Sequence, residues 1–140
     1  MKKLTAILLV SVLVLFLWAG GASASAVLEL TDGTITATVS ESDGDGVVNF
    51  TGPIGIFIVN VTTGLTKPLL GSAEWPYLDL NSVDVSSGGA GTLTIMWTDT
   101  DFTNASAIGA FESRIGGTTD GTLSFQTYLD ASNTEFGMTT

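Results

Sequence analysis

The 140-residue chain contains no cysteine and no histidine, and only four of its side chains are lysine or arginine. Without cysteine there is no disulfide, no thiolate nucleophile and no sulfur ligand. Without histidine there is no imidazole and no usual base for a nucleophilic serine, and the two absences together remove most zinc, haem and iron–sulfur sites. Lys67 has no Ser-x-x-Lys setting that would make it a substitute base. Two of the four cations, Lys2 and Lys3, stand at the N-terminus. Past residue 26, Lys67 and Arg114 alone face all 14 acidic residues, two positive charges against 14 negative ones, a net charge of −12. Nucleic acid is excluded as a partner, because binding it relies on Lys and Arg displacing counterions from phosphates. Solubility is the plain meaning of such a charge; cations, cationic surfaces and uncharged glycans are the partners it admits.

The N-terminus has the order of a secretory signal peptide: Lys2-Lys3, an apolar stretch from Leu4 to Trp18, then small residues from Gly20 to Ala26. Its apolar core is expected to be helical. It is shorter than the roughly 20 residues that a membrane span needs, so the mature chain is expected to carry no such span. Two Ala-x-Ala sites overlap, Ala22-Ser23-Ala24 and Ala24-Ser25-Ala26. The organisation that follows is a signal peptide over 1–26 and one exported domain over 27–140.

That domain reads as all-β, being rich in Thr, Val, Ile, Gly and Ser with no sustained helical spacing. Val27 to Thr31 and Thr34 to Ser40 flank Asp32-Gly33, a dipeptide suited to a two-residue hairpin turn. Val47 to Thr51 is a strand broken by Gly52-Pro53. Ile54 to Thr62 is apolar on both faces and is expected at the centre of a sheet. Gly64 to Pro76 is an irregular connection. Leu78 to Ser86 changes phase near Asn81-Ser82, where a β-bulge would restore a single buried face. Gly88 to Gly91 is expected to turn that strand into a hairpin with Thr92 to Thr98. Further strands are expected over Ala110 to Ile115 and Thr122 to Leu129, joined near Asp120-Gly121. Seven or eight short strands with these turns predict an antiparallel β-sandwich or jelly-roll-like fold. The chain ends at Thr140 without an evident closing strand after Phe136, which reads as a truncated C-terminus.

Two acidic pairs are candidate calcium ligands. Asp43 and Asp45 lie on the Gly-punctuated loop Glu41 to Gly46, and Asp99 and Asp101 follow a strand. Hard cations take several oxygens, but the remaining ligands of an EF-hand loop are absent, so a solvated loop is the alternative in both places. Trp75 and Tyr77 flank Pro76 in the irregular connection and are candidate glycan contacts. A hydrolase built on a carboxylate pair needs only two acids roughly 5–10 Å apart. Glu29, Asp79 and Asp84 lie on strands, where alternation points them outward.

Three stretches carry a likeness: Gly55 to Gly64, Leu78 to Ser87 and Gly91 to Asp99. With Ile115 to Thr119 and Ser124 to Asp130, they resemble uncharacterised bacterial exported proteins of the PEP-CTERM type. That resemblance implies a bacterial chain sorted to the envelope or exopolysaccharide matrix through a C-terminal Pro-Glu-Pro signal, a membrane helix and a basic tail. This chain ends before any such tail, and the likeness supplies no catalytic residue. The expectation is therefore a non-catalytic surface or extracellular-matrix module whose partner is a polysaccharide or the cell envelope. A carbohydrate-binding module and a carboxylate hydrolase are the alternatives, with structural calcium as the one candidate cofactor.

Overall fold

The computed structural model describes residues 25–103 and 111–138, so the signal segment expected over 1–26 lies outside the described residues except for its last two. Among the described residues there are six strands: β1 (Val27–Thr31), β2 (Thr36–Ser40), β3 (Val47–Ile54), β4 (Phe57–Leu65), β5 (Asp79–Ser87) and β6 (Thr94–Thr98). They form two antiparallel three-stranded sheets, ordered β2-β1-β6 and β3-β4-β5. The described residues are all-β, consistent with a β-sandwich. Among the described residues no helix is long and apolar enough to cross a membrane.

Alternation along β1 builds the inner face of the first sheet. Leu28 lies between Val39 and Trp97 across the two ladders, and Leu30 between Ala37 and Ile95. The second sheet answers with Val48, Phe50 and Ile54 from β3, Val59 from β4, and Leu80 and Val85 from β5. Leu28, Leu30, Ile54 and Val59 are fully buried. Each such side chain contributes about 1.5–3 kcal/mol relative to exposure. With no disulfide, this packing is what holds the two sheets face to face.

Several turns differ from the expected ones. Thr31 pairs with Thr36, so four residues link β1 to β2 instead of two. Asp32 is the cause: its Oδ1 accepts from the backbone N–H of Ile35 at 2.7 Å and of Thr34 at 2.8 Å, diverting both amides from the ladder, while the Ile35 carbonyl still accepts from Asp32 N–H at 3.2 Å. The same two bonds, Ile35 first, hold the Asp32 carboxyl below its ordinary value of 3.8. Their stabilising effect is therefore complete above that value and lost as pH falls through the lower folded-state value. Gly52-Pro53 does not end β3. An irregularity between Phe50 and Gly52 absorbs the pair, and the strand runs to Ile54, which faces Phe57 across Gly55-Ile56. Pro53 is accommodated because β3 is an edge strand and needs no N–H on its outer side.

β4 is central in its sheet, as its composition predicts, although its outward Ile58 is 47% exposed. The expected bulge in β5 is present. Val61 faces Asp84 and Thr63 faces Asn81, so Ser82 and Val83 share one partner position, and Ser82 takes a φ of 53°. That extra residue lets Leu80 and Val85, five apart, both reach the core.

β5 and β6 do not form the expected hairpin: β5 pairs with β4 and β6 with β1, so Gly88 to Gly91 carries the chain from one sheet to the other. The reason lies in β6, whose Ile95 and Trp97 complete the row begun by Leu28 and Leu30.

The strands expected over Ala110–Ile115 and Thr122–Leu129 are also corrected. Ala110 lies outside the described residues, and 111–129 adopts no strand and is exposed throughout. The segment doubles back, Ser113 Oγ lying 2.8 Å from Thr127 Oγ1, without a backbone ladder among the described residues. Alternation identifies a face that is able to be buried; here the core is closed by the strands over 27–98, and 111–129 pairs with none of them.

Candidate functional site

The ends of β4 and β6 meet in a seam that joins the two sheets. Trp97 lays its ring against Gly64: a Cβ on that glycine would stand 2.8 Å from two ring carbons. Two residues further on, Thr66 Oγ1 donates to Asp99 Oδ2 at 2.6 Å. Lys67 Nζ lies 2.8 Å from the same oxygen, with side-chain exposures of 5% for Lys67 and 0% for Asp99. Nζ also donates to the carbonyl of Thr100 and sits 4.1 Å from the centre of the Phe102 ring. A buried charge requires such a set of partners, and losing one of them leaves the other stranded at high cost.

Glycine at position 46 brings the acidic loop onto the same seam. Its φ is +79°, its carbonyl accepts from Thr66 N–H at 2.9 Å, and a Cβ there would meet the Thr66 and Lys67 carbonyl oxygens at 2.5 and 2.6 Å. Only a residue without a side chain fits both the conformation and the space.

The structure separates the two acidic pairs by role. Asp43 and Asp45 are joined by Glu41, and one carboxylate oxygen from each lies within 4.8 Å of the others. Glu41 Oε1 accepts from the N–H groups of Asp43, Gly44 and Asp45, and Asp45 Oδ1 accepts from Val47 N–H. These carboxylates thus fold their own loop. They also present three oxygen-bearing groups on an exposed surface, whereas calcium takes six to eight oxygens at roughly 2.3–2.6 Å. Asp99 and Asp101 do not converge on a common point. Asp99 is sealed against Lys67, and Asp101 exchanges two bonds with Asn133, donating its N–H at 2.7 Å and accepting through Oδ1 at 2.9 Å. The polar turn expected at Asp99 is in fact a buried ion pair.

Trp75 and Tyr77 are 75% and 57% exposed. They stand on a connection that is well anchored. Ser72 and Trp75 exchange backbone hydrogen bonds at 3.1 Å, Thr103 N–H reaches Ala73 O at 2.8 Å, and the Tyr77 carbonyl lies 3.3 Å from Thr66 Oγ1, whose proton goes to Asp99. Glu29, Asp79 and Asp84 engage neighbouring Thr38, Asn81 and Asn60 respectively.

Reasoning from sequence missed the pairing of Lys67 with Asp99, and Glu41 as a member of the acidic cluster. A signal for the first was present: Leu93, Ile95, Trp97 and Asp99 share one parity, so the phase that buries Trp97 turns Asp99 inward. No protein-family model matches this chain, and no curated protein or solved structure matches it.

Because Glu41 already satisfies three amides, a chelator is expected to leave the thermal midpoint of the purified protein unchanged. A midpoint that rises with calcium and falls with chelator, and no longer responds in Asp43→Asn/Asp45→Asn, would instead establish an ion at the loop.

Proposed function

We propose that this chain is an exported, non-catalytic structural module of a bacterial surface or extracellular matrix. The observation that carries the reading is the use to which its acids are put. Asp99 locks the two sheets together through Lys67, Glu41 caps the loop before β3, and Asp32 shapes the loop before β2. Arg114, the other cation past residue 26, is exposed beside Glu112, so the outer surface is anionic. A carboxylate serving as a fastener is not free to act as general acid or base, and an anionic shell suits solubility and a hydrated matrix. The PEP-CTERM-type resemblance is compatible with this reading and extends it to sorting at the envelope.

Trp75 and Tyr77 favour a second reading, a carbohydrate-binding module. Both rings are exposed and stand on a backbone held by the seam, so stacking a sugar would order little that is not already ordered.

Export is tested by fractionation of the native cell and N-terminal sequencing. The expected product lies outside the cytoplasm and begins at Ser25, because Ala26 is buried and its carbonyl accepts from Glu41 N–H at 2.9 Å. Cleavage after Ala26 would remove that contact and place a new ammonium on Val27, which is 4% exposed. Cytoplasmic protein that retains Lys2 to Ala26 would refute export. The second reading predicts glycan binding that weakens on the order of tenfold in Trp75→Ala, about 1.4 kcal/mol of ring contact. Binding that is absent, or unchanged by the substitution, removes it.

A further inference from the structure

We propose that Lys67 and Asp99 condense into an amide, a covalent cross-link between the two sheets. The reacting atoms are already together in a dry site: Nζ is 2.8 Å from Oδ2, and the two side chains are 5% and 0% exposed. The Phe102 ring covers Nζ at 4.1 Å. The two oxygens of Asp99 are held differently. Oδ2 accepts from Thr66 Oγ1 and from Lys67, whereas Oδ1 is buried with no hydrogen-bond partner among the described residues. An orphaned carboxylate oxygen is costly in an ion pair, and it is the oxygen that condensation removes.

The reacting form is the uncharged pair, amine and carboxylic acid, reached by moving one proton along the existing hydrogen bond. The Nζ lone pair then attacks Cγ and a C–N bond forms. A second proton passes from nitrogen to Oδ1; as the Cγ–Oδ1 bond breaks, the first proton moves across from Oδ2, which becomes the amide oxygen, and Oδ1 leaves as water carrying both protons. Nitrogen keeps its third hydrogen, and no oxidant or other reactant is needed. Each remaining polar atom of the product keeps a partner that is already in place. The amide N–H donates to the Thr100 carbonyl that Nζ now contacts, and the amide oxygen accepts from Thr66 Oγ1. Thr66 is thus a positioning residue, since it fixes which oxygen stays. In a domain without cysteine, the bond would close a loop between positions 32 residues apart, as a disulfide does elsewhere.

Mass spectrometry of the purified full chain tests this directly. The expected result is a mass one water below that of the sequence, with a proteolytic digest yielding a branched peptide joined through Lys67 and Asp99. Lys67→Arg and Asp99→Ala are expected at full mass, and Thr66→Val with a smaller cross-linked fraction. Wild-type protein at full mass after prolonged incubation in the folded state, releasing only linear peptides, would overturn the proposal. So would a water deficit that persists in Lys67→Arg, which would assign it to succinimide formation at an Asp-Gly step such as Asp120-Gly121. Should the variants not fold, the wild-type mass and its digest decide alone.

Discussion

The contact between the ends of β4 and β6 is the constraint on which the rest of this molecule depends. Gly64 faces Trp97, Thr66 faces Asp99, and Lys67 reaches Asp99 and Thr100, so one short seam carries an aromatic contact, a hydroxyl bond and an ion pair between the sheets. Each part requires the others. The ring reaches its place only because position 64 has no side chain, and the ring's place sets the phase that turns Asp99 inward. A three-stranded sheet with one apolar face is stable only when that face is covered, and the seam holds each sheet as the cover of the other.

Features that border the seam inherit their geometry from it. The acidic loop is pinned where Gly46 lies against the Thr66 and Lys67 carbonyls, and the aromatic connection is pinned where Thr66 reaches the Tyr77 carbonyl. The exposed acids and the exposed rings are thereby displayed from one rigid base. Within it Glu41, Asp45 and Asp99 serve as structural acceptors, while Trp75 and Tyr77 are exposed.

Much of the fold was legible in residue alternation. The pairing of β1 with β2, the central place of β4 and the bulge near Ser82 all follow from which positions are apolar. Topology was less legible, since alternation says that a strand has a buried face but not which sheet will cover it. Thus β6 was expected beside β5 and pairs instead with β1. For the same reason 111–129, with the period of strands, adds none: period alone cannot supply a surface to pack on. Local capping was hidden because it depends on side-chain hydrogen bonds, as where Asp32 lengthens the first turn and Glu41 joins Asp43 and Asp45. The ion pair was half visible, in the shared parity of Trp97 and Asp99. Its partner was not, because Lys67 lies in an irregular connection with no period to orient it.

The most direct test of the seam is a double-mutant cycle on Lys67 and Asp99, read by urea unfolding of protein at full mass, in which the pair is ionic. Each single change, Lys67→Met or Asp99→Leu, is expected to cost about 3–5 kcal/mol by stranding its partner, and the double variant to recover a large part of that loss. Single variants within about 0.5 kcal/mol of the parent, the behaviour of ordinary surface substitutions, would show that the seam does not hold the sheets together.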